Sequence, residues 1–178
     1  LYSLGHRHAA FISTPMDQTT LARKQRLEGL RQRFHERGRQ DGVETSVEAL
    51  VAPDSREEDG VGGSVPFEYA TGARLARELL AREHRATVLV GANDMIAIGV
   101  ISVLREKGLR VPEDVAVSGF DNNIEDLLAE NLTTVQVFNE ELGSRLALQI
   151  LYRIKYPHTP HEVTYLESKV LYRASTGD

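Results

Sequence analysis

Apolar positions in this chain fall into short runs separated by longer segments where they recur every three or four residues. That alternation builds a parallel sheet flanked by helices. The clearest instance is Ala86–Asn122, ATVLVGANDMIAIGVISVLREKGLRVPEDVAVSGFDN. Thr87–Gly91 is a β-branched run of strand length, Asp94–Lys107 an apolar segment of helical length, and Val115–Phe120 a second run beyond a turn at Val111–Asp114. Two strands joined through a helix in this way run parallel. Each ends in polar side chains, Asn93 and Asp94 after the first, Asp121 and Asn122 after the second. The carboxyl ends of an open parallel sheet share one edge, where ligands are usually bound.

The rest of the chain repeats the pattern. His8–Ser13 predicts a strand, and Leu21, Leu27, Leu30 and Phe34 predict one apolar face of a helix over Thr20–Arg37 with Gly38 as its C-cap. Val43–Val51 alternates weakly, with Glu44, Ser46 and Glu48 suggesting a wet side. The acidic, glycine-rich stretch Pro53–Pro66 reads as a surface loop. Tyr69–Glu83 is helical through Ala73, Ala76, Leu79 and Leu80. The Asp94–Lys107 helix is apolar on so many sides that another subdomain or a partner subunit is expected to cover it. Ile124–Asn131 links to a strand at Leu132–Val137. An amphipathic helix over Glu140–Ile154 follows, then an alternating strand at Val163–Tyr172. Five or six strands among four helices predict an α/β domain with a doubly wound parallel sheet.

Composition narrows the classes. A chain of 178 residues holds one well-cored domain, or one with a piece of a second. With 41% hydrophobic and 26% charged residues it belongs among soluble globular chains. The lack of cysteine excludes disulfides and thiolate metal sites. A net charge of −5 argues against this chain gripping a nucleic-acid backbone, because that takes clustered Lys and Arg. The start at Leu1–Gly5, without Met or signal peptide, resembles a glycine-capped helix end and suggests that the chain begins inside a longer protein.

Familiar catalytic signatures are missing: no G-x-S-x-G elbow, phosphate-binding loop or H-E-x-x-H. Gly60, Gly62 and Gly63 do not lie between a strand and a helix. His158 and His161 flank a proline loop with no third ligand nearby in sequence, and His6 and His8 flank a strand start; the ordinary surface reading is favoured for all four. Four residues at the sheet edge carry weight. Asp121 suits paired hydrogen bonds from the vicinal hydroxyls of a sugar or nucleoside, or a role in the turn. Asn93 can donate to and accept from a hydroxyl, or cap the helix it precedes; for Asp94 capping is preferred. Arg26 offers a planar fork to ring oxygens or a carboxylate, although a helical Arg is more often solvated.

The runs GHRHAAFIS, RLEGLRQRF, VLVGANDMIAIGVISVLREKGLRVPEDVAVSGFDN, LTTVQVFNEELG and YRAST, in this order, resemble bacterial LacI/GalR-type transcriptional regulators over nearly the whole chain. The similarity is to their C-terminal effector-binding domain, which has a type I periplasmic-binding-protein-like fold of two α/β lobes with a ligand cleft between. It implies that residues 1–126 form the second lobe, 127–160 the crossover and the returning strand and helix of the first, and 161–178 the return to the second. It implies ligand contacts at Arg26, Asn93 and Asp121, and a dimer surface that includes Ile98 and Ile101. It further implies a cytoplasmic, non-enzymatic homodimer without cofactor or membrane contact. The effector would be a sugar or related polyol or nucleoside, and operator DNA would be reached only through a headpiece absent from this chain.

One departure stands out. Where the family commonly has Gln then Pro after LTTV and one further residue, this chain has Val137 and Phe138, with Gln136 one residue early, making that side of the cleft less polar. Two rivals remain at this level. One is an extracytoplasmic sugar-binding protein of a transport system. The other is an enzyme using Asp94 and Asp121 with a divalent metal.

Overall fold

The apolar runs become the strands of one parallel sheet. The computed structural model describes residues 1–17, 20–53, 66–124 and 131–177. Its sheet contains β1 (His8–Ser13), β2 (Ser46–Val51), β3 (Val88–Gly91) and β4 (Ala116–Ser118), in the order β2-β1-β3-β4 with every pair parallel. Their connections contain α1 (Leu21–Asp41), α2 (Phe67–Leu80) and α3 (Asp94–Glu106). The chain leaves β1 towards β2 in one direction but reaches β3 and β4 in the other. Right-handed crossovers therefore put α1 on one face and α2 and α3 on the opposite face, as doubly wound sheets require. The reversal falls between β1 and β3.

Burial follows this order. Central β1 is buried from Ala9 through Ser13, whereas edge strand β2 alternates between exposed positions and half-buried ones, with only Leu50 fully buried, which accounts for its weak pattern. Helix α1 runs past the expected Gly38 and ends at Gly42, whose φ of 67° suits a left-handed cap. Gly38 serves a different purpose: a Cβ there would lie 2.7 Å from Thr45 Cγ2 and 2.8 Å from the Val43 carbonyl oxygen, where the chain turns back towards β2. Leu27 and Phe34 form the buried stripe of α1, but Leu21 is 60% exposed. Its separation of six residues from Leu27 places it about 120° round the helix.

Helices α2 and α3 approach until their backbones nearly touch. A Cβ on Gly72 would lie 2.2 Å from the Ile96 carbonyl oxygen, and one on Gly99 2.2 Å from that of Tyr69. This packing explains why α3 is apolar on so many sides. Ile98 and Ile101, expected at a dimer surface, are only 3% and 4% exposed in the single chain and lie in its core.

After β4 the chain turns at Gly119. Ser118 and Asp121 form isolated parallel bridges to Thr133 and Gln136, which lay β5 (Thr134–Gln136) along the continuation of β4. β5 then pairs antiparallel with β6 (Lys169–Leu171), a much shorter strand than Val163–Tyr172 predicts. Between them, α4 (Asn139–Lys155) buries no residue in this chain. Hydroxyls fasten the end of the chain to the sheet: Ser175 Oγ accepts from the Thr133 N–H at 2.8 Å and donates to the Val117 carbonyl at 2.6 Å. The loop expected at Pro53–Pro66 and the link at Ile124–Asn131 fall almost entirely outside the described residues.

Candidate functional site at the carboxyl edge of the sheet

Three helix and strand ends converge where the sheet reverses its winding. The early turns of α1 carry Arg26, the end of β3 leads into Asn93 at the start of α3, and the chain beyond β4 carries Asp121. Arg26 Nη2 donates to Asp121 Oδ1 at 2.9 Å and Nη1 to the Ala92 carbonyl at 2.6 Å, while the guanidinium stacks 4.2 Å from the centre of the Phe120 ring. The pair is neither fully buried nor freely solvated, with side-chain exposures of 20% and 25%. This position preserves the attraction while leaving the carboxylate reachable by a ligand.

Asn93 also performs the capping role that was its alternative. Its Oδ1 accepts from the Ile96 N–H at 2.9 Å. The amide Nδ2 has no hydrogen-bond partner among the described residues, so capping leaves a donor to spare. Asn93 and Asp121 line one cavity of about 310 Å³ with Pro66, Glu68, Met95 and Ile124. Arg26 does not line this cavity but joins it through its ion pair with Asp121, whereas Ile98 and Ile101 lie in the core of the chain. A larger cavity of about 610 Å³ under α1 is lined by Arg26, which does not line the smaller one, and by Leu1, Leu4, Phe11, Leu30, Val135 and Tyr172. Gln25, Arg33, Ser118, Thr133, Thr134 and Thr176 also border it, but most of its exposed wall is apolar, whereas a polyhydroxylated ligand needs convergent polar groups.

Beneath the edge sits a polar network that sequence reasoning did not find. Asp94 is 2% exposed; its Oδ1 accepts from Thr134 Oγ1 at 2.6 Å and its Oδ2 from the Asn122 N–H at 2.7 Å. Burial pushes its carboxyl up from the usual range, and the charge of Asp121 adds to the rise; the two hydrogen bonds and Arg173 oppose it. Arg173 donates to Asn122 Oδ1 and to the Leu132 carbonyl, both at 2.9 Å. Only the resemblance of LTTV and YRAST to a family pattern marked these segments, because their partners lie 40 and 51 residues apart in the chain. Both Asp94 oxygens are engaged, which leaves it poorly suited to the divalent metal of the enzyme reading. Among the described residues no three His, Asp or Glu side chains gather as a metal site, and no helix is long and apolar enough to cross a membrane.

The relatives of this chain share the architecture. Residues 1–176 match the family described as periplasmic binding protein-like domain. The HTH-type transcriptional regulator CelR of Thermobifida fusca is 31% identical over 98% of this chain and 46% of its own length. The ribose operon repressor of Escherichia coli K12 is 30% identical over 98% of this chain and 48% of its own. A solved CelR–cellobiose complex superposes with a TM-score of 0.71 at 29% identity, covering 98% of this chain and 48% of that one. The chain spans about half the length of the curated relatives it matches. From its match along almost the whole length, and from the sheet order and helix placement that accompany it, the chain belongs to the periplasmic binding protein-like domain family.

Proposed function

We propose that this chain is the effector-binding portion of a LacI-type DNA-binding regulator and that it takes a sugar, or a related polyol or nucleoside, at Arg26, Asn93 and Asp121. The observation that carries the reading is the Arg26–Asp121 pair at the winding reversal, beside the spare amide of Asn93. A carboxylate held by one guanidinium keeps acceptor positions for two vicinal hydroxyls, and Arg26 and Asn93 supply donors to neighbouring oxygens. The sugars named for the relatives support the same ligand class.

In this reading residues 1–126 and 161–178 serve the second lobe and 127–160 the first, and the bare apolar side of α4 supports that division. The protein acts in the cytoplasm as a homodimer, and DNA is contacted by a headpiece outside these 178 residues. Effector binding changes operator affinity only insofar as it favours one arrangement of the lobes over another.

The test is calorimetric titration of the full-length protein with a panel of sugars and nucleosides, repeated on Asp121→Ala. Loss of a charged partner for two hydroxyls weakens binding roughly a hundredfold or more, with the fold retained by circular dichroism. Unchanged affinity in Asp121→Ala counts against the site. Sugar binding by a protein that never binds DNA would favour the transport reading.

A further inference from the structure

We propose that Asp94 is the positioning residue of this site, a clamp that grips the chain on both sides of Asp121 and fastens it to β5. The proposal rests on the effector reading of Asp121 for its functional consequence, but its structural content stands apart from any ligand.

The backbone N–H of Asp94 donates to the Phe120 carbonyl at 2.8 Å, and its Oδ2 accepts from the Asn122 N–H at 2.7 Å. One residue thus holds the neighbours of Asp121 before and after it. The other carboxylate oxygen takes the Thr134 hydroxyl at 2.6 Å, which ties the same clamp to β5. Asp121 is itself bonded to that segment, its N–H donating to the Val135 carbonyl at 2.9 Å and its carbonyl accepting from the Val137 N–H at 3.3 Å.

The clamped segment needs holding. Asp121 has φ of 108° and Asn122 of 51°, two successive non-glycine residues at positive φ. Such conformations persist only where surrounding contacts over-determine them, and they concentrate at ligand sites. Space for the clamp depends on Gly119, where a Cβ would lie 2.3 Å from Asp94 Oδ1. A buried carboxylate is costly unless its oxygens are satisfied, and here both are satisfied by groups bordering the site. A helix start alone requires none of this, because Asn93 already supplies the cap.

The experiment is amide hydrogen exchange by NMR on the ligand-free full-length protein, comparing wild type with Asp94→Ala and Asp94→Asn. Alanine leaves the Asn122 N–H and the Thr134 hydroxyl unpartnered, whereas asparagine can accept from the first and donate to the second. Asp94→Ala is expected to speed exchange at the Asn122 and Asp121 amides by roughly tenfold or more, with β1 and β3 amides little changed. Asp94→Asn should restore most of the protection. If Asp94→Ala does not fold, Thr134→Val removes one arm of the clamp and should produce a smaller rise confined to the same amides. Unchanged exchange at Asn122, or a rise spread evenly over the sheet with no rescue by Asn, overturns the proposal. D-ribose and cellobiose are titrated in parallel. Affinity lost in Asp94→Ala and recovered in Asp94→Asn supports positioning, and unaltered affinity beside faster exchange overturns the functional part. A wild type that binds neither sugar counts against those effectors, while the exchange result still decides the clamp.

Discussion

Helices α3 and α4 are both rich in large apolar side chains, yet their fates in this chain are opposite. Nine of the 13 residues of α3 are buried, and none of the 17 in α4. Leu148, Leu151 and Ile154 of α4 are 67%, 62% and 74% exposed, while Val100, Val103 and Leu104 of α3 are fully enclosed. Hydrophobic periodicity says that a helix has a face to bury but not what buries it. For α3 the answer lies within the chain, in the sheet and in glycine-spaced packing against α2. For α4 nothing among the described residues buries any of its side chains. The candidate site lies where these two unlike regions join.

The largest expected separation comes from truncating one leucine in each helix. In urea unfolding of the 178-residue chain, Leu104→Ala should cost about 2–5 kcal/mol and Leu148→Ala no more than about 0.5 kcal/mol. Repeating Leu148→Ala in the full-length protein sharpens the contrast, since a cost rising towards the Leu104 value is expected if α4 packs within a first lobe. Equal small costs at both positions would break the comparison. Glycine replacement gives a smaller effect of opposite sign in the two helices. Gly99→Ala pushes a methyl into the Tyr69 carbonyl and should cost about 1–3 kcal/mol. Gly143→Ala meets open space in mid-helix and should stabilise the chain by about 0.5–1 kcal/mol. The same denaturation curves check both.

The smallest effect is in pH dependence. The Asp94 carboxyl is raised by burial, so its contribution to stability is full below its unfolded pKa and is lost as pH rises through the folded value. Asp94→Asn should therefore melt higher than wild type at neutral pH, with the difference shrinking on acidification. Exposed Asp114, lowered to about 2 by its hydrogen bonds with Arg110, acts in the reverse sense: its contribution is present above the unfolded pKa and lost as pH falls towards 2. Thermal melts of Asp94→Asn and Asp114→Asn across acid pH should diverge in these opposite directions.

The parallel βαβ unit from Thr87 to Phe120 was legible because strand and helix periods differ and the polar pairs marked where each strand ends. Arg26, Asn93 and Asp121 could be chosen by that edge argument and by family resemblance, and the fold brings them within reach of one another. The end of α1 was misread because Gly38 and Gly42 are equally permissive in sequence, and only the path of Val43–Thr45 shows which one caps. Ile98 and Ile101 are enclosed within the single chain, which the sequence could not show because an apolar side chain buried there and one covered by a partner leave the same pattern. Asp94, Thr134, Asn122 and Arg173 could not be connected from sequence, since their hydrogen bonds join segments that only the crossing chain brings together.

The account turns on where a sugar binds. A crystal structure of the full-length protein with whichever sugar binds it in calorimetry addresses this most directly. The predicted result places vicinal hydroxyls within hydrogen-bond distance of the Asp121 carboxylate, with Arg26 and Asn93 on neighbouring oxygens. A sugar bound beneath α1, or anywhere without contact to Asp121, would contradict the account.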